Sequence, residues 1–274
     1  MPRLAASPAG SEEAAAAIEL IGVAKAFDRR TVVGPLDLSI ARGEFVAVLG
    51  TSGCGKTTTL KMINGLIHPD SGIVSLAAMD GLRTWTARRR HIGYVFQEVG
   101  LFPHLSIAQN IAAGPTLAGW DRRRIAERVA ELLDLLGLPA NVSHRLPTEL
   151  SGGQRQRVGL ARALAVEPRI MLMDEPFGAL DPLTRDRIAS DFRALHDRLG
   201  LTSIMITHDV LEALLVADRI LVMDMGEVIA DSTPATLLRG HRDPRVGSLI
   251  QMPQRQAERL NRLAANRRRV GEVE

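Results

Sequence analysis

Gly50, Thr51, Ser52, Gly53, Cys54, Gly55, Lys56 and Thr57 fit the spacing G-x-x-x-x-G-K-[ST] without a gap, and Thr58 follows them. Residues of these types in this order do one kind of chemistry. Glycines let the backbone curl so that successive N–H groups face phosphate oxygens, and the start of a helix adds partial positive charge. The lysine reaches the terminal phosphates and the threonine hydroxyl is offered to magnesium. A bound nucleoside triphosphate is the expectation, held by one of only three lysines in the chain. Further along, the apolar run Ile170 to Met173 ends in Asp174 and Glu175. One carboxylate at a strand end can hold magnesium, directly or through water, while its neighbour orients and deprotonates an attacking water. Such a pair is common by itself and gains its meaning from the phosphate loop upstream. A third group, Ser151, Gly152, Gly153 and Gln154, opens a helical pattern and can turn backbone N–H groups and one hydroxyl toward an anion. With one phosphate cradle already present, a second anion site needs another purpose.

The elements that must hold these groups alternate. Residues 45–49 form a continuous apolar run closed by Gly50, as suits a strand buried on both faces. Residues 170–173, 203–207 and 220–223 have the same character, and shorter strands are expected at 18–23, 36–40 and 73–76. Turns are expected at Gly34 and Pro35, at residues 70–72, and at Gly226 before a terminal strand at 228–230. Helical patterns cover 56–66, 154–165, 183–199 and 210–217, so strands and helices alternate as in an α/β layered core with a mostly parallel sheet. Residues 106–165 depart from this. They show no strand signal, while Ile125, Val129, Leu132, Leu133 and Leu136 share a helical face behind a capping Asp121, which predicts an inserted helical subdomain.

Composition bounds the remaining choices. The chain has 274 residues, 46% hydrophobic and 24% charged, which excludes a disordered or collagen-like protein. Its 34 basic against 31 acidic residues give +3, but nine arginines and four acids lie from Arg239 onward, so the body is slightly acidic. No aromatic residue is interleaved in that basic end for base stacking, and nucleic acid is not an expected partner. A solvated helix around 254–265 is the expectation there, with anionic lipid headgroups as the sharper alternative. A single cysteine fits a reducing compartment, and the first 17 residues read as a disordered lead-in without an apolar core for export. The longest uncharged stretch, 105–120, is too broken by polar residues to span a bilayer, so membrane work would need another chain.

Taken in order, GTSGCGKTT from Gly50, Gln97 after Tyr94, Val95 and Phe96, LSGGQRQR from Leu150, IMLMDEP from Ile170, Gly178 to Asp181, and Thr207, His208 and Asp209 strongly resemble the nucleotide-binding subunits of ABC transporters. The resemblance covers about residues 18–240. It implies a P-loop NTPase core of RecA type, an N-terminal antiparallel β subdomain and a helical subdomain at about 100–165, and the charge count leaves a basic tail at 241–274 beyond it. It implies ATP and Mg2+ as ligands. Phe27 would stack on adenine, Gln97 would contact magnesium or the attacking water and sense a membrane subunit, and Thr57 and Asp174 would serve the metal. Glu175 would be the general base and His208 its bridge to the γ-phosphate. Ser151 to Gln154 of one copy would close over the ATP of a second copy, with Asp181 shaping that contact, while Cys54 sits at a variable loop position as an inert small residue. The stretches SGCGKTTTLKMINGLI and IGYVFQEVGLFPHLSIAQNIA are similar to ATPase subunits of bacterial osmoprotectant importers for glycine betaine, choline or carnitine. Transmembrane permease subunits, a substrate-binding protein and a place on the cytoplasmic face of a bacterial membrane follow from that likeness. Another ABC transporter, or a soluble ABC protein acting on DNA or ribosomes, are the alternatives.

Overall fold

A computed structural model describes residues 16–79, 81, 82 and 84–252. The chain begins with β1 (Ala16–Phe27) and β2 (Arg30–Ala41), then β3 (Phe45–Gly50), α1 (Lys56–Ile63), β4 (Ser71–Leu76), α2 (Trp85–Arg89) and β5 (Ile92–Val95). A helical run follows: α3 (Ile107–Leu117), α4 (Arg122–Leu135) and α5 (Gly152–Leu164). The chain then returns to alternation with β6 (Ile170–Asp174), α6 (Pro182–Leu199), β7 (Thr202–Ile206), α7 (Val210–Val216), β8 (Arg219–Asp224) and β9 (Glu227–Ser232). Two short helices, α8 (Pro234–Arg239) and α9 (Pro244–Ile250), complete the described part.

Two sheets result. The larger has the order β5-β6-β7-β3-β8-β9, parallel except for β9. Its central strand β3 is buried along residues 45–49, as its unbroken apolar run requires. The smaller sheet, β2-β1-β4, is antiparallel and packs on the other side of α1. One core lies between the large sheet and the helices α3 to α7, and the second between that sheet, α1 and the antiparallel sheet. This is the α/β P-loop NTPase architecture expected, with its antiparallel β subdomain and a helical segment between β5 and β6.

Several local readings change. Gly34 and Pro35 do not turn the chain: both lie inside β2, where Val23 and Lys25 of β1 pair with Leu36 and Val33, one residue further apart. A bulge absorbs the proline, which has no N–H to give the ladder. The hairpin turn sits instead at Asp28 and Arg29, both with positive φ (47° and 64°), and β1 and β2 are far longer than 18–23 and 36–40. Ala16 and Ala17 already belong to β1, with Ala17 buried, so they are not part of a lead-in. At the other end the packed body passes residue 240, because Val246 and Ile250 of α9 are buried in the first core. The helix expected around 254–265 lies outside the described residues. β5 was not expected at all, and α3 falls inside the expected helical segment 106–165 without having been assigned as a helix of its own. Among the described residues no helix is long and apolar enough to cross a membrane.

Candidate functional site: a phosphate loop at the carboxyl ends of the strands

β3 delivers its last residue, Gly50, into the loop that precedes α1. The loop closes because glycines stand where a side chain has no room. A Cβ on Gly50 would lie 2.2 Å from the Met223 carbonyl oxygen, and one on Gly55 would lie 2.5 Å from that of Val32, with φ at 103°. Gly55 is also the N-cap of α1, and no side chain caps that helix end. The first N–H groups of α1 are therefore left for a ligand, and the helix dipole favours an anion there. Lys56 Nζ donates to the carbonyl oxygens of Gly50 at 2.9 Å and Thr51 at 2.8 Å. A terminal phosphate entering the loop competes with these carbonyls for the ammonium.

Opposite the loop, β6 ends on Asp174. Its residue is 4% exposed, and its Oδ2 accepts a hydrogen bond from Thr57 Oγ1 at 2.8 Å. Burial pushes its carboxyl above the usual carboxylate range; the Thr57 hydrogen bond pulls the other way and the Glu175 charge adds to the rise. Glu175 takes a left-handed backbone, φ 49°, with its N–H on the Ile206 carbonyl at 2.9 Å. Gln156 of α5 donates to the Glu175 carbonyl at 3.1 Å. The turn aims the Glu175 side chain across the end of β7, where Oε1 stands 3.3 Å from His208 Nδ1. An acid beside a histidine, next to a phosphate cradle, has the parts for moving a proton from water to a phosphoryl oxygen.

The residues expected from sequence divide into two groups. Gly50, Ser52, Gly53, Gly55, Lys56, Thr57, Thr58, Gln97, Asp174, Glu175 and His208 line one cavity of about 440 Å3. Phe27, Thr51, Cys54, Asp181 and Ser151 to Gln154 do not line it. Phe27 is no core phenylalanine: it ends β1 with 45% of its surface exposed and Lys25 Nζ 5.3 Å from its ring centre. Cys54 is buried at 3% exposure, its side chain turned out of the cavity into the second core beneath the loop. Asp181 caps α6, its Oδ1 accepting from Thr184 N at 3.0 Å, and hydrogen bonds from Thr184 hold its carboxyl below the usual range. Ser151 caps α5: its Oγ accepts from Gln154 N at 3.2 Å, and Gln154 Oε1 accepts from Ser151 N at 3.0 Å.

Sequence reasoning passed over Arg185 and Glu212, which stand behind His208. Arg185 Nη1 donates to Asp209 Oδ2 at 3.0 Å, and its Nη2 donates to the Leu180 carbonyl at 3.2 Å, which ties the segment 178–181 to the histidine loop. Thr207 Oγ1 donates to Glu212 Oε2 and accepts from Asp209 N at 3.0 Å. The one available signal was the spacing of Asp209 and Glu212, an acid three residues into a helix, which reads as a capping box rather than as support for a loop.

Comparison with known proteins agrees with this geometry. The family model described as ABC transporter matches residues 33–178. The glycine betaine uptake system ATP-binding protein YehX of Escherichia coli (strain K12) is 49% identical over 81% of this chain and 72% of its own length. The glycine betaine/carnitine/choline transport ATP-binding protein OpuCA of Bacillus subtilis (strain 168) is 48% identical over 77% of this chain. A sulfate/thiosulfate import ATP-binding protein, CysA 2 of Chromobacterium violaceum, is also 48% identical, over 78% of this chain. The chain spans 56% and 57% of the lengths of these last two. A solved dimeric structure of a bacterial ABC transporter cassette superposes with a TM-score of 0.74 at 33% identity, covering 79% of this chain and 98% of that one. The same cassette has been solved in a post-hydrolysis state bound to ADP and Pi, with the same TM-score and 32% identity. The chain belongs to the ABC transporter family, and its fold is that of the family's ATPase cassette.

Proposed function

We propose that this chain is the ATP-hydrolysing subunit of an ABC importer, with the packed body from Ala16 to Ile250 as its cassette, working at the cytoplasmic face of a bacterial membrane against transmembrane permease subunits. The observation that carries the reading is the meeting of Lys56, Thr57, Asp174, Glu175 and His208 in one cavity, with Glu175 against His208 at 3.3 Å. Lys56 and the open N-terminus of α1 hold the phosphates. Glu175 orients and deprotonates the attacking water, His208 bridges it to the γ-phosphate, and Gln97 lines the same space beside them.

Magnesium fits the donors present. Thr57 and Asp174 offer oxygens 2.8 Å apart, a buried carboxylate with a raised affinity for protons is relieved by a cation, and magnesium takes few protein ligands beside phosphate and water. When bound it would neutralise charge on the β- and γ-phosphates; Thr57 and Asp174 would hold it, with Gln97 at the edge. Phe27, exposed at the end of β1, is placed for adenine stacking. Ser151 to Gln154 lie outside the Lys56 cavity, which supports their service to a second copy of this chain in an ATP sandwich, with Asp181 between the two sites.

For the cargo, the likeness to YehX and OpuCA favours glycine betaine, choline or carnitine, delivered by a substrate-binding protein. The 48% identity to CysA 2, equal to that of OpuCA, is the specific observation behind a second reading, an importer of an inorganic oxyanion. Co-purification from detergent-solubilised membranes tests both. Recovery of a permease with a betaine-binding protein, and ATP turnover stimulated by betaine but not sulfate, is the expected result. Recovery of ribosomes or DNA would overturn the importer reading, and stimulation by sulfate alone would overturn the betaine one.

A further inference from the structure

His208 is held from behind. It follows Thr207, whose hydroxyl donates to Glu212 and accepts the Asp209 N–H, so the residues on both sides of the histidine are fastened through one side chain. Asp209 is fixed a second time as the cap of α7, its Oδ1 accepting from Leu211 N at 3.0 Å and Glu212 N at 3.2 Å. Arg185 of α6 grips its other oxygen. Glu212 is only 9% exposed, and its Oε1 is buried without a hydrogen-bond partner. A buried carboxylate with a spare oxygen is costly, and a helix of this length does not need one. The spacing of Asp209 and Glu212 would let the carboxylate fold back onto the Asp209 N–H as an ordinary capping box. It reaches Thr207 instead, and the Asp209 N–H is handed to Thr207 as well.

We infer that Glu212 is a positioning residue for hydrolysis: through Thr207 it fixes the loop that presents the His208 imidazole to Glu175. This rests on the reading of Glu175 and His208 as the hydrolytic pair. The ionised carboxylate is the form that does the holding, because Thr207 then donates its proton and keeps its lone pairs for the Asp209 N–H. A protonated Glu212, carrying its proton on the unpartnered Oε1, would take the Thr207 bond only as a neutral acceptor and hold it less strongly. Burial lifts the Glu212 carboxyl to about 7; the Thr207 hydrogen bond opposes the rise, Asp209 adds to it, and Arg185 and His208 oppose it. Asp186, Arg193 and Asp197 of α6 stand along the same groove between α6 and α7.

The sign of the stability effect runs against the sign of the activity effect, which makes the two separable. A carboxyl with a raised value in the folded chain binds its proton more tightly there than in the unfolded chain. Its contribution to stability is present at low pH and is lost as pH rises from its ordinary 4.5 through about 7. At pH 8, Glu212→Gln in the full chain should melt no lower than the parent, yet turn over ATP about three- to tenfold more slowly with KM unchanged, as a neutral acceptor replaces a charged one. The ratio of parent to variant kcat should shrink toward one below pH 6. Thr207→Val should lose about tenfold or more by the same logic and Thr207→Ser should stay near the parent. His208→Ala combined with Glu212→Gln should be no slower than His208→Ala alone. If Glu212→Gln keeps parental kcat at pH 8, or loses it together with its melting temperature, or adds its loss in full to that of His208→Ala, the inference about Glu212 is overturned. If His208→Ala by itself leaves kcat unchanged, the hydrolytic pair is misassigned and the inference falls with it.

Discussion

Two glycine-rich segments in this chain run into helices, and they end up in opposite states. At the start of α1 the N-cap is Gly55, no side chain returns to the backbone, and the N–H groups face a cavity lined by Lys56 and Thr57. At the start of α5 the N-cap is Ser151, and a reciprocal pair of bonds with Gln154 satisfies both the Ser151 and Gln154 N–H groups. A helix end can serve an anion only with the donors it has not already spent. The first segment is an open cradle supported by a buried carboxylate across from it. The second is a self-capped edge, left with the N–H groups of Gly152 and Gly153 and with the Arg155 guanidinium 3.9 Å from where a Cβ on Gly152 would stand. That asymmetry is what the proposed completion of the site by a second copy would use.

The largest effect that would break the comparison is on binding. Lys56→Ala should abolish measurable triphosphate binding, a loss of at least about a hundredfold for removing a charge-assisted phosphate contact; Ser151→Ala in the same equilibrium titration should bind like the parent. Equal losses in both would mean that Ser151 holds nucleotide as strongly as Lys56 does, and that the self-capped segment is not the weaker contributor. Glu175→Gln sharpens the first side by separating its two tasks. The variant should bind nucleotide normally and turn over slower by on the order of a hundredfold or more, as expected for losing a general base. Near-parental turnover would remove Glu175 from that role and leave Asp174 and His208 to be reconsidered.

Both segments were legible in the sequence for a physical reason. A phosphate loop and a strand-end carboxylate are set by short local patterns, glycines at fixed offsets and an apolar run ending in acid, and each run is long enough to announce its strand or helix. The elements that stayed hidden lack such continuity. β5 has four residues with Gly93 among them, and α3 carries Gly114 and Pro115 near its end. Pro35 looked like a turn because the bulge that tolerates it depends on the register between β1 and β2. The support of His208 by Glu212 was hidden for a related reason, since a side chain's choice between a backbone cap and Thr207 is made by packing. Cys54 was placed correctly in the loop by sequence, but which way its side chain turns was decided by the core beneath.

Smaller effects test the self-capped side. Ser151→Ala should cost about 1 kcal/mol of stability through the lost cap, read as a fall of about 2–4 °C in melting temperature. No comparable cap exists at α1, so Ser52→Ala there, outside the capping position, should leave the melting temperature within about 1 °C of the parent, as for an exposed substitution. If both variants lose the same stability, the two helix starts are not in different states.

The smallest effect concerns the single thiol. Because Cys54 is 3% exposed and packed behind Gly50, a maleimide can reach it only when the loop opens locally. Labelling should therefore be slow in the native chain and fast in denaturant. ATP should slow it further, since a ligand bound only to the closed loop lowers the population of the open one in proportion to its saturation. The phosphates would protect the thiol without covering it. A labelling rate unchanged by ATP would mean that the thiol is exposed by a motion that leaves the cradle intact, and the open loop at α1 would then be a less cooperative structure than its packing against β3 indicates.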